Sequence, residues 1–223
     1  MVFTKMDKVK SILYIPRHWR ISNVLYRGKT LTVDLLGDLL PKMTQEQAGA
    51  YARANPDEFV ARDLPMYFAI LSALEQQRDL PGASAPVEFL RKSMRSDWLQ
   101  TLTAIDYLPE GKRDVVTHGV GTGKPYRQKV DVVGPDRQIM PEDSACLEAL
   151  VGTGDVETVK RVLTFIHGTP TYLWRVNYKP SEVARRVAGF NAPYSGFGLD
   201  CYRDPRGSSP ALGVRRVAPR SGA

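Results

Sequence analysis

Leu31, Val33 and Leu35 alternate with Thr32 and Asp34, the two-residue period of a strand with one buried face. Ile21–Tyr26 precedes this run and Arg27-Gly28-Lys29 separates the two, so the segment predicts a β-hairpin near the N-terminus. The period then lengthens. Thr44 and Gln47 form a capping box that opens a helix to about Ala54. Asn55 and Glu58 form a second, with Pro56 at the first helical position. Pro65 is expected to interrupt that helix before it restarts into the apolar stretch Met66–Leu74. After a Pro-Gly-Ser loop over 81–86, Val87, Leu90, Met94, Trp98, Leu102 and Ile105 recur at steps of three and four. They predict one long amphipathic helix.

The pattern changes at Leu108-Pro109-Glu110-Gly111. Asp114–Val120 and Tyr126–Val133 read as β-branched runs around Gly121-Thr122-Gly123-Lys124, a second hairpin. Glu142–Val151 is helical in pattern. Asp155 is placed to cap a helix over Val156–Ile166, which Gly168 stops. Thr171–Asn177 reads as a strand and Ser181–Phe190 as a short helix. Phe197–Tyr202 and Leu212–Val217 read as a last hairpin turning at Pro205–Pro210. The expected fold is α+β, with an N-terminal β-hairpin, a central helical segment and mixed strands and helices towards the C-terminus. The chain divides into 1–108 and 109–217, as two regions or as one continuous domain, with a frayed tail expected over 218–223.

Composition narrows the class. The chain has 223 residues, 43% of them hydrophobic and 25% charged, within the ordinary range of globular proteins. No apolar run reaches the ~18 residues of a membrane-spanning helix, so no membrane partner is expected. The two cysteines, Cys146 and Cys201, are too few for a disulfide framework and imply a reducing, cytoplasmic setting. Cys146 beside Leu147 reads as a small buried hydrophobe. The net charge is +7 and sits mainly at the ends: residues 1–41 carry +4 and residues 179–223 carry +5, whereas 44–86 carry −3. Such an excess favours a polyanion partner, because Lys and Arg displace counterions from phosphates.

Catalytic and metal-binding patterns are sparse. His18, His118 and His167 stand far apart, none at a metal-ligand spacing from another His or Cys, and no metal or cofactor is expected. Gly119-Val-Gly-Thr-Gly-Lys124 has the glycines of a phosphate loop. However, His118 takes the first glycine position, Pro125 replaces the hydroxyl residue, and a strand rather than a helix follows. It is read as a hairpin turn. The spacings Arg113-x4-His118 and Arg161-x5-His167 are similar to the Arg-x4–6-His of HEPN ribonucleases, in which Arg steadies a phosphate and His acts on the ribose hydroxyl. The first pair falls on a predicted strand, and Val162 departs from the polar residue usual in the second.

Pro16-Arg-His-Trp-Arg20 is the strongest basic–aromatic cluster: Trp19 can stack on an unpaired base while Arg17 and Arg20 hold phosphates. The competing reading places Trp19 in the core. Lys124, Arg127 and Lys129 on the second hairpin, and Arg185 with Arg186, complete the set of expected nucleic-acid contacts. The sequence therefore predicts a basic, non-enzymatic protein that binds nucleic acid, RNA or single strands, mainly through backbone phosphates. The alternatives are an adaptor for an acidic protein and a ribonuclease using Arg161 and His167.

Overall fold

Arg27 and Gly28 both adopt left-handed backbone, with φ of 49° and 71°, the pair of angles a two-residue type I′ turn requires. In the computed structural model, which describes residues 11–192 and 196–218, that turn joins β2 (His18–Tyr26) to β3 (Lys29–Met43). The first hairpin thus forms as expected, and β3 continues well past Leu36. β1 (Leu13–Ile15) pairs with β2, and β11 (Ser209–Arg216) pairs with β3, giving a four-stranded antiparallel sheet.

The second sheet contains β4 (Leu99–Tyr107), β5 (Asp114–His118), β6 (Tyr126–Val130), β7 (Arg137–Gln138), β8 (Thr171–Trp174), β9 (Ala184–Asn191) and β10 (Phe197–Arg203). Their spatial order is β6-β5-β4-β9-β10-β8-β7, antiparallel except for the parallel pair β8 and β10. The second expected hairpin is β5–β6. The helices are α1 (Gln45–Ala54), α2 (Leu64–Gln76), α3 (Ser84–Ser96), α4 (Ser144–Val151) and α5 (Val156–His167). This is an α+β fold. β4 bonds to β5 and β9 while β11 returns to β3, so both sheets draw strands from either side of residue 108.

Local signals decide the structure where the chain caps itself. The Thr44–Gln47 capping box forms at α1. Asp155 accepts from the Thr158 amide at 3.1 Å, and Gly168 ends α5 in left-handed backbone. Other expectations are corrected. Residues 56–63 are not helical; Val60 instead bridges to Val214 of β11. Pro65 opens α2 rather than interrupting it, because Asp63 is the N-cap and its Oδ1 accepts from the Met66 amide at 3.0 Å. The long helix stops at Ser96, where Asp97 turns extended. Leu102 and Ile105 belong to β4, a central strand buried on both faces, which therefore shows no alternation. Residues 184–191 form β9 rather than a helix, because Val187, Ala188 and Phe190 are buried in the sheet between β4 and β10. Finally, β10 and β11 lie in different sheets and do not pair as a hairpin.

α2 is apolar on nearly every side and packs against β2, β4, α4 and α5, as expected of a helix buried in the interior. Tyr67 ties its first turn to the four-stranded sheet: its hydroxyl donates to the Leu212 carbonyl at 2.6 Å and accepts from the Arg62 amide at 3.0 Å. Cys146 and Cys201 are buried free thiols, and burial pushes the Cys146 thiol up to about 12. The N-terminal Lys5, Lys8 and Lys10, and the tail beyond Ala218, lie outside the described residues.

Candidate functional site

The residues expected to bind nucleic acid separate into engaged and free groups. Trp19 is 8% exposed and packs on Phe89, with ring centroids 5.3 Å apart; it is a core side chain, with no face open to a base. Arg20 is forked onto the buried Asp34 at 2.9 and 3.1 Å, and Arg215 reaches the same carboxylate at 3.0 Å. Burial would raise the Asp34 pKa, but the bonds from Arg20 and Arg215 outweigh it and hold the carboxyl below its ordinary value. Arg17 is exposed, 3.9 Å from Asp38. Arg185 donates twice to Asp106, at 2.6 and 2.7 Å. Arg186 follows it on β9 and so faces the other way. Carboxylates thus already neutralise Arg20 and Arg185, and the pair Arg185–Arg186 does not act as one unit.

The side chains of Lys124, Arg127 and Lys129 have no ion-pair or hydrogen-bond partner among the described residues. Arg127 and Lys129 share one exposed face of the edge strand β6, while Tyr126 and Gln128 occupy the other. Lys124 stands at the rim of a cavity of about 270 Å³. This cavity holds the principal cationic site, most of which the sequence does not mark.

Four separate segments supply the charged side chains of the cavity and their polar neighbours. The β2–β3 turn supplies Arg27, the residues ahead of α2 supply Arg62 and Asp63, the Gly119–Lys124 turn supplies Thr122 and Lys124, and the end of β11 supplies Arg216. The Gly-rich segment is a hairpin turn, as expected, yet it forms one wall of this pocket. Asp63 is the one carboxylate among the lining residues, and it is already committed. Its Oδ2 accepts from Tyr26 Oη at 2.8 Å and from Arg27 Nη2 at 3.4 Å, and its Oδ1 caps Met66. Burial, and then the charge of Asp63, raises the Tyr26 pKa above its ordinary value.

Four guanidinium or ammonium groups therefore face one carboxylate. Arg62 Nε donates to the Val214 carbonyl at 3.3 Å, while its Nη2 is buried with no partner. Burial and the neighbouring Arg216 lower its pKa from the usual value, though an arginine stays charged. The first amides of α2 are taken: Leu64 donates to Thr103 Oγ1 at 2.9 Å, Pro65 has no N–H, and Met66 is capped. Any anion here is held by side chains and not by the helix terminus.

His118 also borders the cavity but is engaged structurally. Thr103 Oγ1 accepts from Leu64, so its proton is directed to His118 Nδ1 at 2.8 Å, and His118 Nε2–H donates to the Ala149 carbonyl at 2.9 Å. Burial lowers its pKa, keeping the ring neutral. Arg27 lies over the rings of Tyr26 and Tyr126, at 5.1 and 4.8 Å from their centroids, and it borders two further cavities. One, of about 400 Å³, is lined by His118, Tyr126, Gln128 and Glu148; the other, of about 630 Å³, runs between the β2–β3 hairpin and α2.

The ribonuclease residues do not assemble. Arg161 is tied to Glu75 at 3.3 Å. His167 bonds Thr169 at 2.7 Å, and burial together with Arg95 and Arg91 lowers its pKa. A separation of six residues on α5 also places the two side chains about 120° apart around the axis. Arg27, Arg62 and Arg216 carry no sequence signal beyond their charge, and Arg62 sits in the acidic stretch. Comparison with protein-family models, curated proteins and solved structures gives no match to this chain.

Proposed function

We propose that this protein binds single-stranded nucleic acid through phosphate groups. In this reading the cavity between Arg62, Arg216, Arg27 and Lys124 is the main anchor, and Arg127 and Lys129 on the β6 edge flank it. One observation carries the proposal: four cations from distant segments converge on a concave site whose single carboxylate is spent on Tyr26, Arg27 and the α2 cap. Like charges packed together in a partly desolvated site destabilise a fold. An arrangement of this kind is accounted for by an anion that neutralises it, and phosphate oxygens suit arginine guanidinium groups. The basic N-terminal region contributes Arg27 to this site and the basic C-terminal region contributes Arg216.

The test is fluorescence anisotropy of a labelled single strand titrated across a salt series. Parent protein is expected to bind at low salt with log affinity falling linearly against log salt. Changing Lys124 and Arg216 together to Gln should flatten that slope by about 1.4, roughly 0.7 for each phosphate no longer neutralised on a single strand. Absence of binding at low salt, or an unchanged slope, overturns the reading. Equal displacement by poly-glutamate at matched charge would favour the acidic-protein alternative.

A further inference from the structure

We infer that the cavity takes a terminal phosphate monoester, so that the end of a strand, rather than its interior, is the preferred ligand; this rests on the phosphate-binding reading above. Two features point to an end group. First, the cavity, about 270 Å³, is at or below the small end of ordinary ligand pockets. That size suits a phosphate carrying one sugar substituent better than an internal phosphodiester carrying two. Second, the charge matches. Four cations against one carboxylate leave three positive charges; a monoester brings a charge of about −1.5 to −2 and three free oxygens, whereas a diester brings one charge.

The adjoining cavity gives the attached nucleoside a place. It measures about 400 Å³ and shares Arg27 and His118 with the phosphate site. Its wall carries the half-exposed ring of Tyr126, the amide of Gln128 and the carboxylate of Glu148. Gln and Glu are side chains that bond the amino and ring nitrogens of bases. Glu148 repels a second phosphate at that position, which again favours one nucleotide entering phosphate first.

The experiment compares three single strands of one sequence by calorimetry at moderate salt: one with a 5′-phosphate, one with a 3′-phosphate and one with hydroxyls at both ends. One phosphorylated form is expected to bind about ten-fold tighter or more than the hydroxyl form, as a charged hydrogen-bonded interaction supplies. Which of the two binds identifies the end. That advantage should vanish in Arg62→Gln and, as a control against misfolding of the more buried site, in Arg216→Gln, whose side chain is exposed. Equal, salt-dependent binding of all three strands overturns the end-group inference and leaves the nucleic-acid reading intact. No binding of any of them overturns both.

Discussion

Trp19→Ala lowers the stability of the folded protein by about 3–5 kcal/mol, the range for removing a buried aromatic ring, and leaves the affinity of the folded fraction for single strands unchanged. The side chain is 8% exposed. It sits on β2 among the residues of the main core, against Phe89 and Tyr14, so its deletion opens a cavity that the two-sheet framework cannot fully close. Its neighbour Arg20 is committed to the buried Asp34, and Arg17 projects into solvent 3.9 Å from Asp38, away from the packed indole. Denaturant unfolding measures the stability loss and anisotropy the affinity. A selective loss of single-strand binding with an unchanged unfolding midpoint would return Trp19 to the interface.

Gly49→Ala, a change that ordinarily favours a helix by up to about 1 kcal/mol, destabilises this protein by about 1–3 kcal/mol and weakens oligonucleotide binding with it. Gly49 lies in α1 where the helix presses on the Gly119–Lys124 turn. A Cβ there would overlap the Val120 carbonyl oxygen and stand 2.7 Å from Gly121 Cα. Both neighbours are backbone, so no side-chain rotation relieves the overlap, and the clash outweighs the gain in propensity. The turn must move, and it carries Thr122 and Lys124 at the wall of the cationic cavity. Thermal unfolding and the same anisotropy assay check the pair of effects. A neutral or more stable variant with parental affinity contradicts the close approach of α1 to this turn.

What is legible in the sequence follows from how local its cause is. Turns and caps depend on a few adjacent residues, and the Arg27-Gly28 turn, the Thr44–Gln47 box and the Asp155 cap all form where the pattern places them. β4 and β9 are hidden because central strands are buried on both faces and lose the alternation of an exposed strand, and their apolar positions fall into a helix-like spacing or beside an arginine pair. The separation of β10 from β11 is a long-range choice between sheets that no turn residue encodes. The site divides the same way. Lys124, Arg127 and Lys129 are visible as one hairpin, whereas Arg27, Arg62 and Arg216 meet only because β2, α2 and β11 do. The carboxylates that silence Arg20 and Arg185, Asp34 and Asp106, are likewise distant in sequence and close in space.

If phosphate is held by Arg62 and Arg216 with Arg27 and Lys124, the side-chain resonances of these residues report its binding. In a protein labelled for NMR, the arginine Nε–Hε signals are followed while a single-stranded hexanucleotide is added at low salt. Arg27, Arg62 and Arg216 are expected to shift together and saturate at one concentration, with Lys124 Nζ moving alongside, while Arg17, Arg20 and Arg185 stay at their free positions. Shifts confined to Arg17, Arg20 or Arg185, with the cavity arginines unmoved at saturation, would contradict binding at the cavity.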